Sequence, residues 1–431
     1  MSKLPLLAAA GVGVILLAVL LGSPSAHSEE ALLTDWSAPP PWPIFIAVNV
    51  LAGTLRSMAD ALTPPPIRMI DMGFAYQTSK LAQVCMSFKI ADFLATGPKT
   101  LAEIAEYTQT QDVLRVERFM YALAADGITQ LDPSLKQGER PVRFVNTALS
   151  ATLRRDHPNS MAGMIGHQVM DAYEAFGRIE KVLGPDPIDI PWDEVYNDPK
   201  YRGGKIWKYY EDHPDREEQF GRAMNSLEGL GGMAMAEDVP FHKFSRVIDV
   251  GGSRGHFLYK ILNRNPKTTG ILFDRAPVLE NAKALWNSND GAFHDGTEKR
   301  LEMVTGDFFQ AGSIPQGQDG DAYLMRYILH DWGENEVLQI LSNLYESMKG
   351  KQTTLLIGEC SIPDRDVVGV PSAMYKIDML MMNLFGGALE RTPEMWKSLL
   401  DTAGFEFVTI HPTRSLVHFV EARPKAIQGS L

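Results

Sequence analysis

Cysteine is nearly missing from this chain, which has only Cys85 and Cys360 in 431 residues. Two thiols are too few for a disulfide framework or a cysteine zinc site, so each reads as a small buried hydrophobe. Positive charge is also short, with 41 Lys and Arg against 53 Asp and Glu and a net charge of −12. That balance argues against a nucleic-acid binder, which needs a positive field to meet phosphates. The remainder is 45% hydrophobic and 22% charged, ordinary globular values. They exclude a disordered, collagenous or wholly membrane-embedded protein, and the length suits two or three domains, each with its own core.

The first thirty residues differ from the rest. Lys3 precedes LPLLAAAGVGVILLAVLLG (Leu4 to Gly22), which carries no charge; SPSAHS and the acids Glu29, Glu30 and Asp35 come after it. Such a run is long enough to span a bilayer, and with the small residues Ala26 and Ser28 it also describes a secretory signal. Both readings stand. The charge bias places the rest of the chain on the non-cytoplasmic side. The Pro-bounded stretch 36–66 is interrupted and reads as a helix packed on the body or on a membrane surface.

Residues 67–155 read as a small helical module. DMGFAYQTSKLAQVCMSFKIADFLA puts Ala75, Leu81, Val84, Phe88 and Phe93 near one stripe. KTLAEIAEYTQ and DVLRVERFMYALAADGI suggest two helices, the second stopped by Gly127, and two short strands come next in ITQLDPSLKQGERPVRFVNT. Helix, turn, helix and hairpin is the winged-helix order, which invites a DNA-binding reading. Between Thr78 and Arg155, however, ten basic residues meet eight acidic ones, and Glu117 sits between Arg115 and Arg118. A packing or dimerisation module fits better. Residues 156–240 read as a helical connector in which Tyr209, Tyr210, Phe220 and Met224 could wall a pocket for a flat substrate.

From 241 to 424 five apolar runs alternate with helical segments: SRVIDV, TGILFD, LEMVTG, DAYLMRYIL and TTLLIGEC; FEFVTI and LVHFVEA complete the series. Alternation of this kind predicts an α/β fold with a parallel sheet covered on both faces, whose ligands sit beyond the carboxyl ends of the strands. The first strand runs into Gly251, Gly252 and Gly255, which miss the dinucleotide pattern G-x-G-x-x-G. Asp274 ends the second, 19 residues after Gly255, where a carboxylate can hold a ribose diol. Asp307 and Phe308 come after the third and suit an adenine, the acid for its amine and the ring for its face.

With LMRYILHDWGENEVLQIL the set is complete. VIDVGGSRG, LFDRAP, VTGDFF, ILHDW, GECSIP and LERTPEMWKSLLDTAGF stand in order. The chain resembles the dimeric S-adenosylmethionine-dependent O-methyltransferases of the caffeic-acid and acetylserotonin type, over roughly residues 70 to 423. The resemblance implies a class I Rossmann-like sheet with a winged-helix dimerisation domain on its N-terminal side. It implies S-adenosylmethionine as cofactor, bound by Gly251, Asp274, Asp307, Phe308 and Arg326, and a small-molecule acceptor. His330 would be the general base, flanked by Glu359 and Glu390. Three departures stand out: Ser253 replaces a third glycine, Arg326 a common lysine, and GGALERT has one residue more than the family's GGxERT before Glu390.

The chemistry agrees. A phenol with a pKa near 10 is a poor nucleophile until its proton leaves, and a neutral imidazole of pKa about 6.5 can take it. Glu359 would fix the ring's tautomer. No metal is needed, and no His/Cys/carboxylate cluster is evident along the chain. Two other readings remain: an S-methyltransferase acting on a methylthio-hydroxy acid, as on the way to dimethylsulfoniopropionate, and a non-catalytic cofactor-binding scaffold. A non-cytoplasmic catalytic domain would also sit apart from a cofactor made in the cytosol. Organelle import is one way to reconcile the two.

Overall fold

In the computed structural model, residues 39–287, 293, 295–364 and 372–426 are described. The apolar run Leu4–Gly22 lies outside them. Two units emerge, the first comprising residues up to Val169 together with Gln219–Gly229, the second Met170–Glu218 and everything from Leu230 onward.

The first unit opens with helix α1, Trp42–Leu62, which starts at Pro-rich sequence and buries none of its residues. Its apolar window has a mean hydropathy of 1.3 and is long enough to cross a membrane by length and composition. The expected helix therefore forms without an interruption, and it is not packed on the body. The prolines cluster at residues 39–43, ahead of the helix or in its first turn, where a missing N–H costs nothing. Helix α2 spans Pro65–Ser87, longer than the periodicity suggests, and a left-handed Lys89 (φ +53) separates it from a short helix Ile90–Leu94. That break splits the expected stripe, of which Leu81 and Phe93 pack against the core. Ala75 and Phe88 are exposed, while Cys85, Met86, Ile90 and Leu94 enter the core.

Helix α3 (Leu101–Tyr107) is held by a capping box of Thr100 and Glu103, and α4 (Val113–Ala125) starts at an Asp112 cap and ends before Gly127 (φ +72). Strands β1 (Lys99–Thr100), β2 (Thr129–Leu131) and β3 (Arg143–Asn146) form an antiparallel sheet in the order β1-β3-β2. The two-residue β1 was too short to leave a period in the sequence. Ile104, Met120, Leu123 and Phe144 complete the core.

In the second unit all seven expected strands form: β4 (Arg246–Val250), β5 (Thr269–Asp274), β6 (Leu301–Thr305), β7 (Asp321–Arg326), β8 (Thr354–Glu359), β9 (Phe405–His411) and β10 (His418–Pro424). Their order is β6-β5-β4-β7-β8-β10-β9, with β4 to β8 parallel to their neighbours and β10 antiparallel between β8 and β9. Period-2 alternation sends Ile248, Ile271, Tyr323 and Leu355 to one face and Val247, Leu272, Leu324 and Leu356 to the other. Helices α8 (Glu334–Met348) and α10 (Pro393–Thr402) cover the first face; α6 (His256–Arg264) and α7 (Ala276–Asn287) cover the second. The strand order reverses between β4 and β7, the crevice where ligands of such sheets bind.

The Tyr and Met positions expected on one helical stripe divide. Tyr209 and Tyr210 lie buried on a helix Ile206–Asp212, whereas Phe220 and Met224 sit on α5, Pro214–Asp238, in the part belonging to the first unit. Pro214 starts a new helix and resets the phase. Helix α9 (Ser372–Leu384) lies against the connector, with Asn383 Nδ2 donating to Ala172 O at 2.9 Å.

The turn after β4 has no room for a side chain at Gly252. A Cβ there would lie 2.5 Å from Leu272 Cδ1 and 2.6 Å from the Asp249 carboxylate. Gly252→Ala is expected to lower the unfolding free energy by about 1–3 kcal/mol. A urea midpoint equal to the wild type's would show that the turn can back away.

Candidate active site

Four of the five cofactor positions expected from sequence end or directly succeed β4, β5 and β6. Gly251 adopts φ +76, and a Cβ on it would meet Ile328 Cδ1 at 2.8 Å and Phe308 at 3.7 Å. A bare backbone is therefore required there, with an aromatic ring beside it. Asp274 accepts hydrogen bonds from the N–H groups of Ser253 (2.9 Å) and Arg275 (2.7 Å). Burial pushes its carboxyl upward, against those two bonds. Ser253, in place of a third glycine, takes the left-handed conformation itself (φ +55) and is exposed. Asp307 accepts from Phe309 N–H at 2.9 Å, which holds the Phe308 turn. Arg326 ends β7 with its guanidinium over the rings of Phe257 (4.4 Å) and Tyr327 (4.9 Å).

Beyond β7 the structure gathers the residues expected to carry chemistry. His330 is buried on a short 3₁₀ turn, Leu329–Asp331, and its Nδ1 lies 2.8 Å from Glu390 Oε1. Glu359, at the end of β8, is 3.5 Å from the same nitrogen, while its Oε1 accepts the N–H groups of Ile328 (3.1 Å) and Leu329 (2.9 Å). Glu390 rather than Glu359 thus orients the ring, and Glu359 pins the turn that carries it. The extra residue in GGALERT does not displace Glu390. Its N–H donates to Asp378 Oδ1 on α9 at 2.9 Å. Nε2 faces Asp331, whose Oδ1 is 3.4 Å away.

This set is electrostatically tense. Burial alone would push the imidazole's pKa down, but Glu359, Asp331 and Glu390 reverse this and raise it to about 10. Burial raises Asp331 to about 7, with His330 opposing, and raises Glu359 too. The second oxygens of Glu359 and Glu390 are buried without a hydrogen-bond partner among the described residues. An ordinary imidazole of pKa 6.5, expected from the residue alone, therefore does not describe His330, whose neighbours favour its protonated form.

Three further residues shape the site. Arg391, 1% exposed, donates to Leu329 O (2.8 Å) and Trp332 O (2.9 Å), clamping the 3₁₀ turn at both ends. Tyr327 holds φ +56, a costly conformation for a large residue, and stacks on His330 with centroids 5.9 Å apart. Asp378 positions Glu390. Arg391 lies in LERTPEMWKSLLDTAGF and Tyr327 in LMRYILHDWGENEVLQIL, but nothing in the sequence marks either of them, or Asp378, for these roles. The sequence pointed to His330, Glu359 and Glu390 as a base and its flanking acids, not as metal ligands. His330, Glu359 and Glu390 bring three possible metal-ligand atoms within 4.8 Å of one another, from positions up to 60 residues apart.

Residues 181–406, just over half of the chain, match the O-methyltransferase domain family. The phenazine O-methyltransferase PhzM of Lysobacter antibioticus is 29% identical over 358 residues, covering 83% of this chain and 95% of its own. Among solved structures, the mitomycin 7-O-methyltransferase MmcR is 26% identical with a TM-score of 0.69, covering 86% of this chain and 99% of its own. Human N-acetylserotonin methyltransferase, solved with S-adenosylmethionine, shares the fold at 20% identity and a TM-score of 0.70, covering 85% of this chain and 99% of its own. A Rossmann-like sheet, a bare glycine turn and a carboxylate-bound histidine, together with these matches, place the chain in the O-methyltransferase family, and it is a methyltransferase.

Proposed function

We propose that the protein is an S-adenosylmethionine-dependent O-methyltransferase in which His330 removes the proton of a small-molecule hydroxyl. The observation that carries this is the 2.8 Å contact between His330 Nδ1 and Glu390. It assigns the Nδ1 proton to that bond and leaves Nε2 to deal with the acceptor. The residues at the strand ends fit the cofactor. Gly251 offers backbone to close approach, Asp274 an acceptor for the ribose diol, Asp307 and Phe308 an edge and a face for adenine, and Arg326 a nearby positive charge. Bound there, S-adenosylmethionine supplies an electrophilic methyl on a sulfonium.

The protein's own work is alignment and proton control. An imidazole raised to about 10 matches a phenol of pKa near 10, so the proton passes between acceptor and Nε2 at little cost. Glu390 and Glu359 stabilise the imidazolium once formed. A panel of phenols, hydroxy acids and thioethers assayed with methyl-labelled cofactor tests the reading, and transfer to no hydroxyl compound would overturn it.

Two expected results concern pH. At neutrality the raised pKa leaves His330 protonated in the free enzyme, so kcat/KM should keep rising above pH 8 toward a pKa of about 10. Glu390→Gln retains an acceptor for the Nδ1 proton but removes one negative neighbour. The imidazole's pKa then falls, and the alkaline limb should move to lower pH. A limb that stays in place would show that the charge of Glu390 is not felt.

The first unit is the proposed winged-helix dimerisation module of a homodimer, with exposed apolar residues such as Leu114 and Leu149 to be covered. The acceptor is a small molecule, not a nucleic acid. Residues 4–22 are proposed to bring the enzyme to a membrane or into a targeting route.

A further inference from the structure

The sequence of helix α1 has no place in a soluble surface. From Trp36 to Leu55 there is no charged residue; Asp35 precedes this run and Arg56 succeeds it. None of its 21 residues is buried. Ile44, Val48, Leu51, Leu55, Met58 and Leu62 keep a 4-3-4-3-4 spacing that places them in one stripe, all at least 38% exposed. Ile46 and Val50 are 52% and 61% exposed on the opposite side. A groove on a partner protein would cover the stripe and leave these two in water. An apolar solvent covers both.

Length and charge say which solvent. At ~1.5 Å per residue α1 is ~31 Å long, the thickness of a bilayer's hydrocarbon core. The uncharged run Leu4–Gly22 has almost the same length, and 19 residues lie between the two, enough to turn the chain back. The basic residues lie only to either side of the two uncharged runs, not between them. Lys3 precedes the first run, the acids Glu29, Glu30 and Asp35 and no Lys or Arg lie between the runs, and Arg56 and Arg68, with Asp60 and Asp71, come after the uncharged part of α1. Arg56 is close enough to the helix end for its long side chain to reach the headgroups. Asp60 is neutralised by Arg68 at 2.9 Å.

We propose that Leu4–Gly22 and α1 cross one bilayer as an antiparallel hairpin, with the stripe Ile44–Leu62 as the seam for the first segment. The chain after Leu62 then lies on the same face as Lys3. Basic flanks stay on the cytosolic side, so the catalytic domain faces the cytosol. A single span would carry it to the opposite face. The hairpin also removes the conflict between a membrane-inserted N-terminus and a cofactor made in the cytosol. It holds whichever atom the enzyme methylates.

The test uses full-length protein in sealed vesicles whose cytosolic face is outward. The native thiols Cys85 and Cys360 are buried, so Ser28→Cys provides a reporter between the two segments. The expected results are retention in the membrane through a carbonate wash and digestion of the chain after Leu62 by added protease. The reporter should react with a membrane-impermeant maleimide only after detergent. Release by carbonate would overturn the hairpin in favour of a second copy or another protein covering α1. A protected catalytic domain would mean a single span, and a reporter labelled without detergent would mean a helix lying in the surface. A second variant tests α1 itself. Val48→Asp should leave the protein in the membrane through the first segment but turn the catalytic domain to the protected side. Unchanged protease sensitivity in that variant would show that α1 does not cross.

Discussion

His330→Ala is expected to lower turnover by about 10²–10⁴-fold, the usual cost of losing a general base. The variant should bind cofactor normally, because no atom of His330 belongs to the turn after β4 or to the ends of β5 and β6. Its pH profile should be flat where the wild type rises, since the raised imidazole is the group that titrates. This result also separates acceptor atoms. A hydroxyl must lose a proton and a thioether has none to lose. An S-methyltransferase would tolerate the substitution with a small loss and show no alkaline rise even in the wild type. Steady-state rates across pH 6–10 for both proteins decide between them, and a loss of only a few-fold with matching flat profiles would overturn O-methylation.

Asp274→Ala is expected to weaken S-adenosylmethionine binding by about 10²-fold or more. Two charge-assisted hydrogen bonds to a ribose diol contribute about 1.5–3 kcal/mol each. The carboxylate already accepts one backbone N–H bond on each oxygen, at 2.9 and 2.7 Å, which fix its orientation at the strand end. Asp274→Asn keeps acceptor atoms but not the charge and should fall between wild type and alanine. Calorimetry with an unchanged affinity, in a variant that melts normally, would remove Asp274 from the cofactor site.

Arg391 and Tyr327 show a different dependence on the fold. Both touch the 3₁₀ turn of His330 without any part in proton transfer. Their roles depend on where the chain passes after β7, and no periodicity or spacing encodes that path. The same holds for Glu390. Its motif could be read, yet one additional residue separates it from Gly387, and only the loop after α9 shows that the carboxylate still reaches Nδ1.

The sequence by itself determined the sheet and the family. The central strands β4, β5, β7, β8 and β10 were legible because they are apolar runs buried on both faces. The edge strands β6 and β9 were legible because apolar runs there continue the same alternation with helices. Gly251, Asp274, Asp307 and His330 were legible because they lie at strand ends or in the first few residues beyond them, where such sheets bind ligands. Other features were decided only by the tertiary structure, because they depend on contacts between distant segments. It gave Glu390 the orienting role expected of Glu359, and it moved the imidazole's pKa from about 6.5 to about 10 by gathering three carboxylates around it. It also resolved a stretch that looked interrupted into one continuous exposed helix, Trp42–Leu62. The reason is common to these cases. Strand content is a local property of the chain, whereas the field at a buried nitrogen and the covering of a helix are sums over neighbours that the sequence does not place.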